Sequence, residues 1–300
     1  SRPVNTGYLG LTYQTMGKLF TKTHVESYFG KFYGSAKASF TLDFPAIYPF
    51  STKIYYTLNR WDYFKSFATF FEDVKPSFLI QNEMYAGIEI SQPIGNTVKS
   101  TLDARMVSLN DEYYQTDNFS NKDTADVTDF RGGTVSWEFS MNSLNRKQFA
   151  SSGHSLSAKI RYTAGTEHSL SGSTSKHEFD SINPHSWITG TLDFQTFIID
   201  DPHFHLGVQG QFVYNSQPLF ANYAATLLTM TEFSLIPDIK TYFLPEYRSH
   251  QFGSLGFNAI FTLRKNLDLR MDWFYYQPIS RVVQNDDGSQ SFAEPFTGQS

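Results

Sequence analysis

The feature that most limits how this chain can fold is an alternation of apolar and polar residues, repeated along most of its 300 residues. A period of two is the pattern of a β-strand whose two faces meet different surroundings. In AKASFTLDF, residues 36–44, small and apolar side chains alternate with Lys37, Ser39, Thr41 and Asp43. The helical period of about 3.6 is nowhere competitive. The sequence therefore predicts an all-β protein.

Further segments with this pattern bring the total to about a dozen strands. The clearest are TVSWEFSMN, LSAKIRYTA, HFHLGVQGQFVY and LDLRMDWFYY. Most of the strands have roughly 9 to 11 residues, the length that a tilted strand needs to cross a bilayer. Strands of soluble sandwiches are usually shorter, at about 5 to 6 residues. The strand length thus favours a membrane protein.

Short and long connections alternate from about residue 60 onward. The long ones cover residues 62–82, 110–129, 165–185, 215–252 and 278–291. Tight turns on one rim and long loops on the other are typical of an antiparallel up-and-down β-barrel. No linker or charge block divides the chain, so we expect a single barrel domain over residues 1–300. Residues 289–300 read as the start of a strand, and we expect at least two more strands to follow.

Side-chain chemistry supports a transmembrane barrel over a soluble β-protein. Apolar faces end repeatedly in aromatic residues, as an interfacial girdle requires; these are Phe44, Tyr162, Tyr214 and Tyr275. Charged residues make up 18% of the chain, and the formal net charge is -5. This balance gives no electrostatic basis for binding nucleic acid. The absence of cysteine excludes disulfides and thiolate metal sites. A soluble multi-sheet protein is the alternative.

Three segments resemble a known family. NSLNRKQFASSGHSLSAKIRY, residues 142–162, resembles a turn and strand of BamA-type barrels. PSFLIQNEMYAGIEISQPIGN and NSQPLFANYAATLL, residues 76–96 and 215–228, resemble more narrowly the barrel that follows the catalytic domain of bacterial patatin-like phospholipases. The resemblance implies a sixteen-stranded barrel in the outer membrane of a Gram-negative bacterium, with about 12 to 14 strands in this chain and outer-membrane lipid around it.

The resemblance also implies that a long loop folds into the lumen and carries an arginine that pairs with an acidic residue of the wall. The loop over about residues 215–252 is the longest, and its segment EYRSHQF makes Arg248 the candidate. A buried guanidinium needs a carboxylate partner. Asp272 is the partner that we expect, with Asp268 as the alternative. The other interpretation is that Arg248 is an ordinary solvated loop residue.

Catalytic and metal-binding motifs are weak. The sequence Gly-x-Ser-x-Gly of a nucleophile elbow does not occur, and DDGS at residues 286–289 reads as a loop turn. His203 and His205 have the spacing of metal ligands on a strand, but no third ligand is identifiable, so we interpret them as polar lumen residues. We expect no catalytic residue, metal or cofactor in this chain.

Three functions remain open on the sequence. The first is a barrel that anchors an N-terminal patatin-like domain and could also translocate it, with the inward-folded loop occluding the lumen. The second is a passive outer-membrane porin or channel. The third is a soluble β-rich binding domain.

Overall fold

The computed structural model describes residues 6–45, 47–63, 78–116, 119–120, 122–234, 243–264, 267–285 and 289–293. Twelve strands form one antiparallel sheet in which each strand pairs with its neighbours in chain order. The strands are β1 (Gly7–Met16), β2 (Phe20–Phe29), β3 (Tyr33–Phe44), β4 (Phe50–Tyr63), β5 (Leu79–Ile94), β6 (Val98–Tyr113), β7 (Asp126–Asn142), β8 (His154–Leu170), β9 (Asp180–Asp200), β10 (Phe204–Asn215), β11 (Gln251–Arg264) and β12 (Leu267–Ser280). The all-β up-and-down prediction is confirmed.

The central strands are longer than the sequence predicts. Strands β5 to β9 have 16 to 21 residues. The predicted long link over residues 165–185 is wrong, because β8 and β9 continue to pair as far as Leu170 and Asp180. Alternation marks only the part of a strand whose faces differ in polarity, and the backbone ladder extends beyond it.

The sheet is polar on one face and apolar on the other, and the apolar face is the exposed one. On β7, Thr134 and Ser136 are buried, whereas Val135 is 51% exposed and Trp137 49% exposed. The same inversion holds on β8, where Thr163 is buried and Tyr162 is exposed. A soluble sheet would bury its apolar face, so this distribution is the one expected of strands that face lipid.

The link between β7 and β8 joins distant parts of the sheet. Arg270 of β12 donates from Nη1 to the carbonyl oxygen of Ala150 at 3.0 Å. The same guanidinium lies over the ring of Phe149, 5.7 Å from its centroid. Gly153 allows the link to turn back into β8, since its φ is +93° and a Cβ there would lie 2.3 Å from the Ser143 carbonyl oxygen. The link lies four to five strands from β12 in the sheet order, so this contact requires the sheet to curl.

Residues after β12 form a separate hairpin, β13 (Val282–Gln284) paired with β14 (Gln290–Phe292). The described part of the strand predicted to begin at residue 289 therefore pairs in this hairpin and not with β12. Residues 286–288 of the predicted turn and residues 294–300 lie outside the described residues. The described residues also include a short helix, α1 (Tyr223–Thr229), and a 3-10 turn over Pro245–Tyr247. None of the described helices is long and apolar enough to span a membrane.

Candidate functional site: a plug segment on the concave side of the sheet

Residues 216–250 connect β10 to β11, and the described part of this connection folds against the concave side of the sheet, which we call the lumen. We name this connection the plug segment; the structure describes its residues 216–234 and 243–250. Its apolar side chains share buried clusters with wall residues of β4 to β7, β9, β10 and β11. One segment can reach so many strands only because the sheet wraps around it.

Phe220 is the main apolar anchor of the plug segment and is 2% exposed. Its ring stacks on Phe130 of β7 at a centroid distance of 5.6 Å and on the ring of His185 of β9 at 5.0 Å. Trp187 of β9 meets it edge-on at 6.1 Å. Aromatic contacts of this geometry add stability beyond the burial of their area. Phe220 thus ties the segment to two strands of the wall.

Helix α1 begins at a residue that also binds the wall. The side-chain oxygen of Asn222 accepts hydrogen bonds from the backbone N–H groups of Ala224 and Ala225, at 2.8 and 3.3 Å. Its Nδ2 donates to Asp126, the first residue of β7, at 2.8 Å. The N-cap satisfies the first donors of the helix, and the same side chain fixes where the helix lies against β7.

Two buried wall carboxylates receive donors from the plug segment. Asp126 is 1% exposed and takes, besides Asn222, hydrogen bonds from Gln115 Nε2 at 2.6 Å and the Gly172 N–H at 2.9 Å. Glu167 of β8 is fully buried. Its partners are the Ala221 N–H at 2.7 Å, the Ser169 hydroxyl at 2.6 Å and His185 Nε2 at 2.6 Å. Each buried carboxylate thus has several donors, as burial of a charge requires.

Gln217 joins the two ends of the plug segment. Its Nε2 donates to the carbonyl oxygen of Thr226 and to the hydroxyl of Thr229 in helix α1, at 3.3 and 2.5 Å. Its backbone carbonyl accepts from His250 Nε2 at 2.5 Å. The entry of the segment, its helix and its exit are therefore connected through one buried side chain and its backbone.

Arg248 is 6% exposed and bonds within the plug segment. Its Nη2 lies 2.7 Å from the Glu232 carboxylate. Its Nη1 donates to the carbonyl oxygens of Leu227 and Leu228 at 3.3 and 3.4 Å. These carbonyls belong to the last turn of helix α1, where a cation interacts favourably with the helix dipole. Arg248 therefore holds helix α1 against the stretch around Glu232.

The partner expected for Arg248 is different from the one that the structure shows. Within the described residues, neither Asp272 nor Asp268 contacts Arg248. Asp272 accepts from Arg270 Nε at 2.9 Å and from Asn258 Nδ2 at 2.6 Å. Asp268 accepts from Thr262 at 2.9 Å and lies 3.9 Å from Arg146.

The register explains this difference. Gln251, three residues after Arg248, lies opposite Ser280, and Asp272 is eight residues further along β12. At about 3.3 Å per residue this is roughly 26 Å along the strand. An arginine at the loop end of β11 is therefore too far from mid-strand aspartates of β12.

The two histidines considered as metal ligands bind different aspartates at the short-turn rim. His205 Nδ1 lies 2.8 Å from Asp200, and His203, which is in the turn, lies 3.9 Å from Asp201. Among the residues that the structure describes, no group of three or more metal-binding side chains comes together.

Burial lowers the pKa of His250 below its ordinary value of 6.5, and the hydrogen bond to the Gln217 carbonyl offsets part of this effect. Nδ1 of the ring is buried without a hydrogen-bond partner in the described part of the chain. The docked segment therefore favours the neutral ring with its proton on Nε2.

We expect docking of the plug segment to weaken as the pH falls below about 6.5. A released His250 binds a proton that the docked one excludes, so acid favours release, whereas above this pH both states hold a neutral ring. Protease cleavage within the segment, measured between pH 7.5 and 5, should rise in the wild type. In His250→Gln the part of this rise due to His250 should vanish, and an identical pH profile in both proteins would contradict the assignment.

A cavity of about 390 Å³ lies between the plug segment and the wall. Wall side chains from β4 to β9 line it, together with residues 228–232, Ser234 and Arg248 of the plug segment. The lining is mixed in polarity and includes several cations.

Similarity to known proteins is found in structure and not in sequence. No family model matches the sequence, and no curated protein matches it. Solved structures similar to this chain include the crystal structure of BamA from Haemophilus ducreyi lacking POTRA domains 1-3, at 12% sequence identity and a TM-score of 0.53. The match covers 93% of this chain and 58% of the BamA chain, so this chain spans a little over half of that protein. This chain therefore has the antiparallel up-and-down β-barrel fold of BamA.

Proposed function

We propose that this chain is an outer-membrane barrel of a Gram-negative bacterium and that its plug segment closes the lumen. The barrel anchors a further domain of the same protein and helps to export it. The observation that carries the closed state is the docking of residues 216–234 and 243–250 through buried contacts to the wall. A passive porin needs an open lumen, and a segment held by buried hydrogen bonds and aromatic stacking counts against one.

The exposed apolar face supports a membrane location over a soluble binding domain. Leu102, Trp137 and Ile160 are each about half exposed, and contiguous apolar surface of this kind on soluble proteins is small. Lipid is the partner that would cover these side chains. Partitioning of the whole protein into the aqueous phase of a detergent separation would contradict this part of the proposal.

Planar-bilayer recordings test the closed lumen. We expect the whole protein to show a closed or flickering state, and we expect a variant in which a short Gly-Ser linker replaces residues 218–249 to show large, steady conductance. The unaltered protein and the variant both keep the twelve strands, so a difference in conductance between them reports on the plug segment. Large, steady conductance in the unaltered protein would favour a passive pore.

The identity of the anchored domain rests on the resemblance of residues 76–96 and 215–228 to barrels of patatin-like phospholipases. We propose a patatin-like hydrolase domain upstream in the same protein, with no catalysis in the barrel itself. The reading frame upstream should then encode Gly-x-Ser-x-Gly. Export is supported if that domain is exposed on the cell surface and if this exposure is lost when the barrel is deleted. If the domain stays in the periplasm with the barrel intact, the barrel only anchors it.

A further inference from the structure

The cavity between the plug segment and the wall carries an excess of positive charge. Its described lining includes four cationic side chains, Arg105, Lys159, Arg161 and Arg248, and two carboxylates, Glu83 and Glu232. Arg248 is matched by Glu232 at 2.7 Å. The other charged side chains of the lining are the three wall cations on β6 and β8 and the Glu83 carboxylate on β5.

The three wall cations differ in their partners. Lys159 lies 3.3 Å from Glu138 on the neighbouring strand. Arg105 donates from Nε to Thr134 at 3.2 Å and lies 4.0 Å from Asp103. Arg161 has no ion pair in the described part of the chain, and its Nε is buried without a hydrogen-bond partner. A buried donor left without an acceptor is costly and rare.

The positive charge of Arg105 acts unfavourably on Arg161, and the negative charge of Asp103 offsets part of this repulsion. Repulsion between like charges is stronger at partly buried positions than at an exposed protein surface. Thr134 and Thr163 line the same cavity, so hydroxyl groups are available beside the cations. An anion between these side chains would relieve the repulsion and give the donors an acceptor.

We propose that this cavity is a binding site for a small oxyanion, a carboxylate or phosphate group, held by Arg161 with Arg105 and Lys159 at its flanks. A guanidinium presents a planar set of donors that matches two oxygens of either group. The volume of about 390 Å³ exceeds that of a bare ion, since a water molecule takes roughly 30 Å³. The ligand class is therefore an organic or inorganic oxyanion with room for a short aliphatic or phosphate-bearing body.

The test is a binding titration on the whole protein, purified in a maltoside detergent that carries no phosphate. Inorganic phosphate and glutarate are titrated separately at constant ionic strength set by chloride. Binding of phosphate, of glutarate or of both supports the site and assigns the class of oxyanion. Failure of both probes to bind the wild-type protein would overturn it.

Variants locate the binding. Arg161→Gln should weaken binding roughly tenfold or more, the loss expected for one charge-assisted hydrogen bond. Arg146→Gln removes the same charge from a residue whose side chain is 59% exposed, outside the cavity lining, and should bind as the wild type does. Arg161→Lys keeps the charge but not the fork and should weaken binding less, which covers the case in which the glutamine variant does not fold. Unchanged affinity in folded Arg161→Gln would refute the assignment.

Discussion

Arg248→Ala is expected to release the plug segment and to lower the heat stability of the barrel more than any other single change in the clasp. The guanidinium satisfies the Glu232 carboxylate and two carbonyls of helix α1 at once. Removal of one partner from a buried ion pair leaves an uncompensated charge and typically costs about 3 to 5 kcal/mol. The loss should appear as a lower midpoint for heat-induced unfolding in detergent and as more frequent channel opening.

A double-mutant cycle identifies the partner. We expect the effects of Arg248→Ala and Glu232→Ala to be strongly non-additive, because the two side chains are in direct contact. Arg248→Ala and Asp272→Ala should be additive, since Asp272 binds Arg270 and Asn258 instead. The reverse pattern would show that the arginine pairs with the wall in solution. Arg146→Ala is a control for the loss of a cation, because its side chain is mostly exposed.

Phe220→Ala should undock the plug segment through loss of packing alone, without any change of charge. Truncation of a buried phenylalanine costs about 3 to 5 kcal/mol, partly because a void remains. Its neighbours Phe130, His185 and Trp187 belong to the wall and cannot follow the segment inward. Since 1.4 kcal/mol corresponds to a factor of ten, the open fraction of the channel should rise by roughly two orders of magnitude or more.

Phe29→Ala provides the matched control, because Phe29 has the same side chain but is 64% exposed at the end of β2. The conductance of the Phe29→Ala variant should equal that of the wild type. If Phe220→Ala opened the channel no more than Phe29→Ala, the apolar anchor would have no role in closure, and the polar contacts of Asn222 and Ala221 would have to hold the segment unaided.

Periodicity was sufficient to predict the wall. Each strand presents one face to apolar and one to polar surroundings. The alternation that results is visible within a single segment, as in β3, β7 and β8. Strand ends were predicted less well, since β8 and β9 pair beyond the residues whose faces differ in polarity.

The contacts of the plug segment depend on three-dimensional closeness that no local pattern carries. Asp126 and Glu167 look like any polar residues near strand ends, and only the curl of the sheet brings them to Asn222 and Ala221. Arg248 was the candidate arginine of the longest loop, but the choice of its partner required the register of β11 with β12. Nothing in the sequence distinguishes Phe220 from other aromatic residues of the same loop, such as Phe233 and Tyr247.

The number of residues that separate two contacting side chains in the sequence implies an order of folding. In the sheet of twelve described strands, neighbouring strands are also neighbours in sequence, so the wall can grow from hairpins whose loop-closure entropy is small. The plug contacts instead join residues 54 and 96 positions apart, and they need β7, β8 and β9 already in place. Docking should therefore be a late and separate kinetic phase, and a protease-resistant plug segment would report that the wall around it is complete.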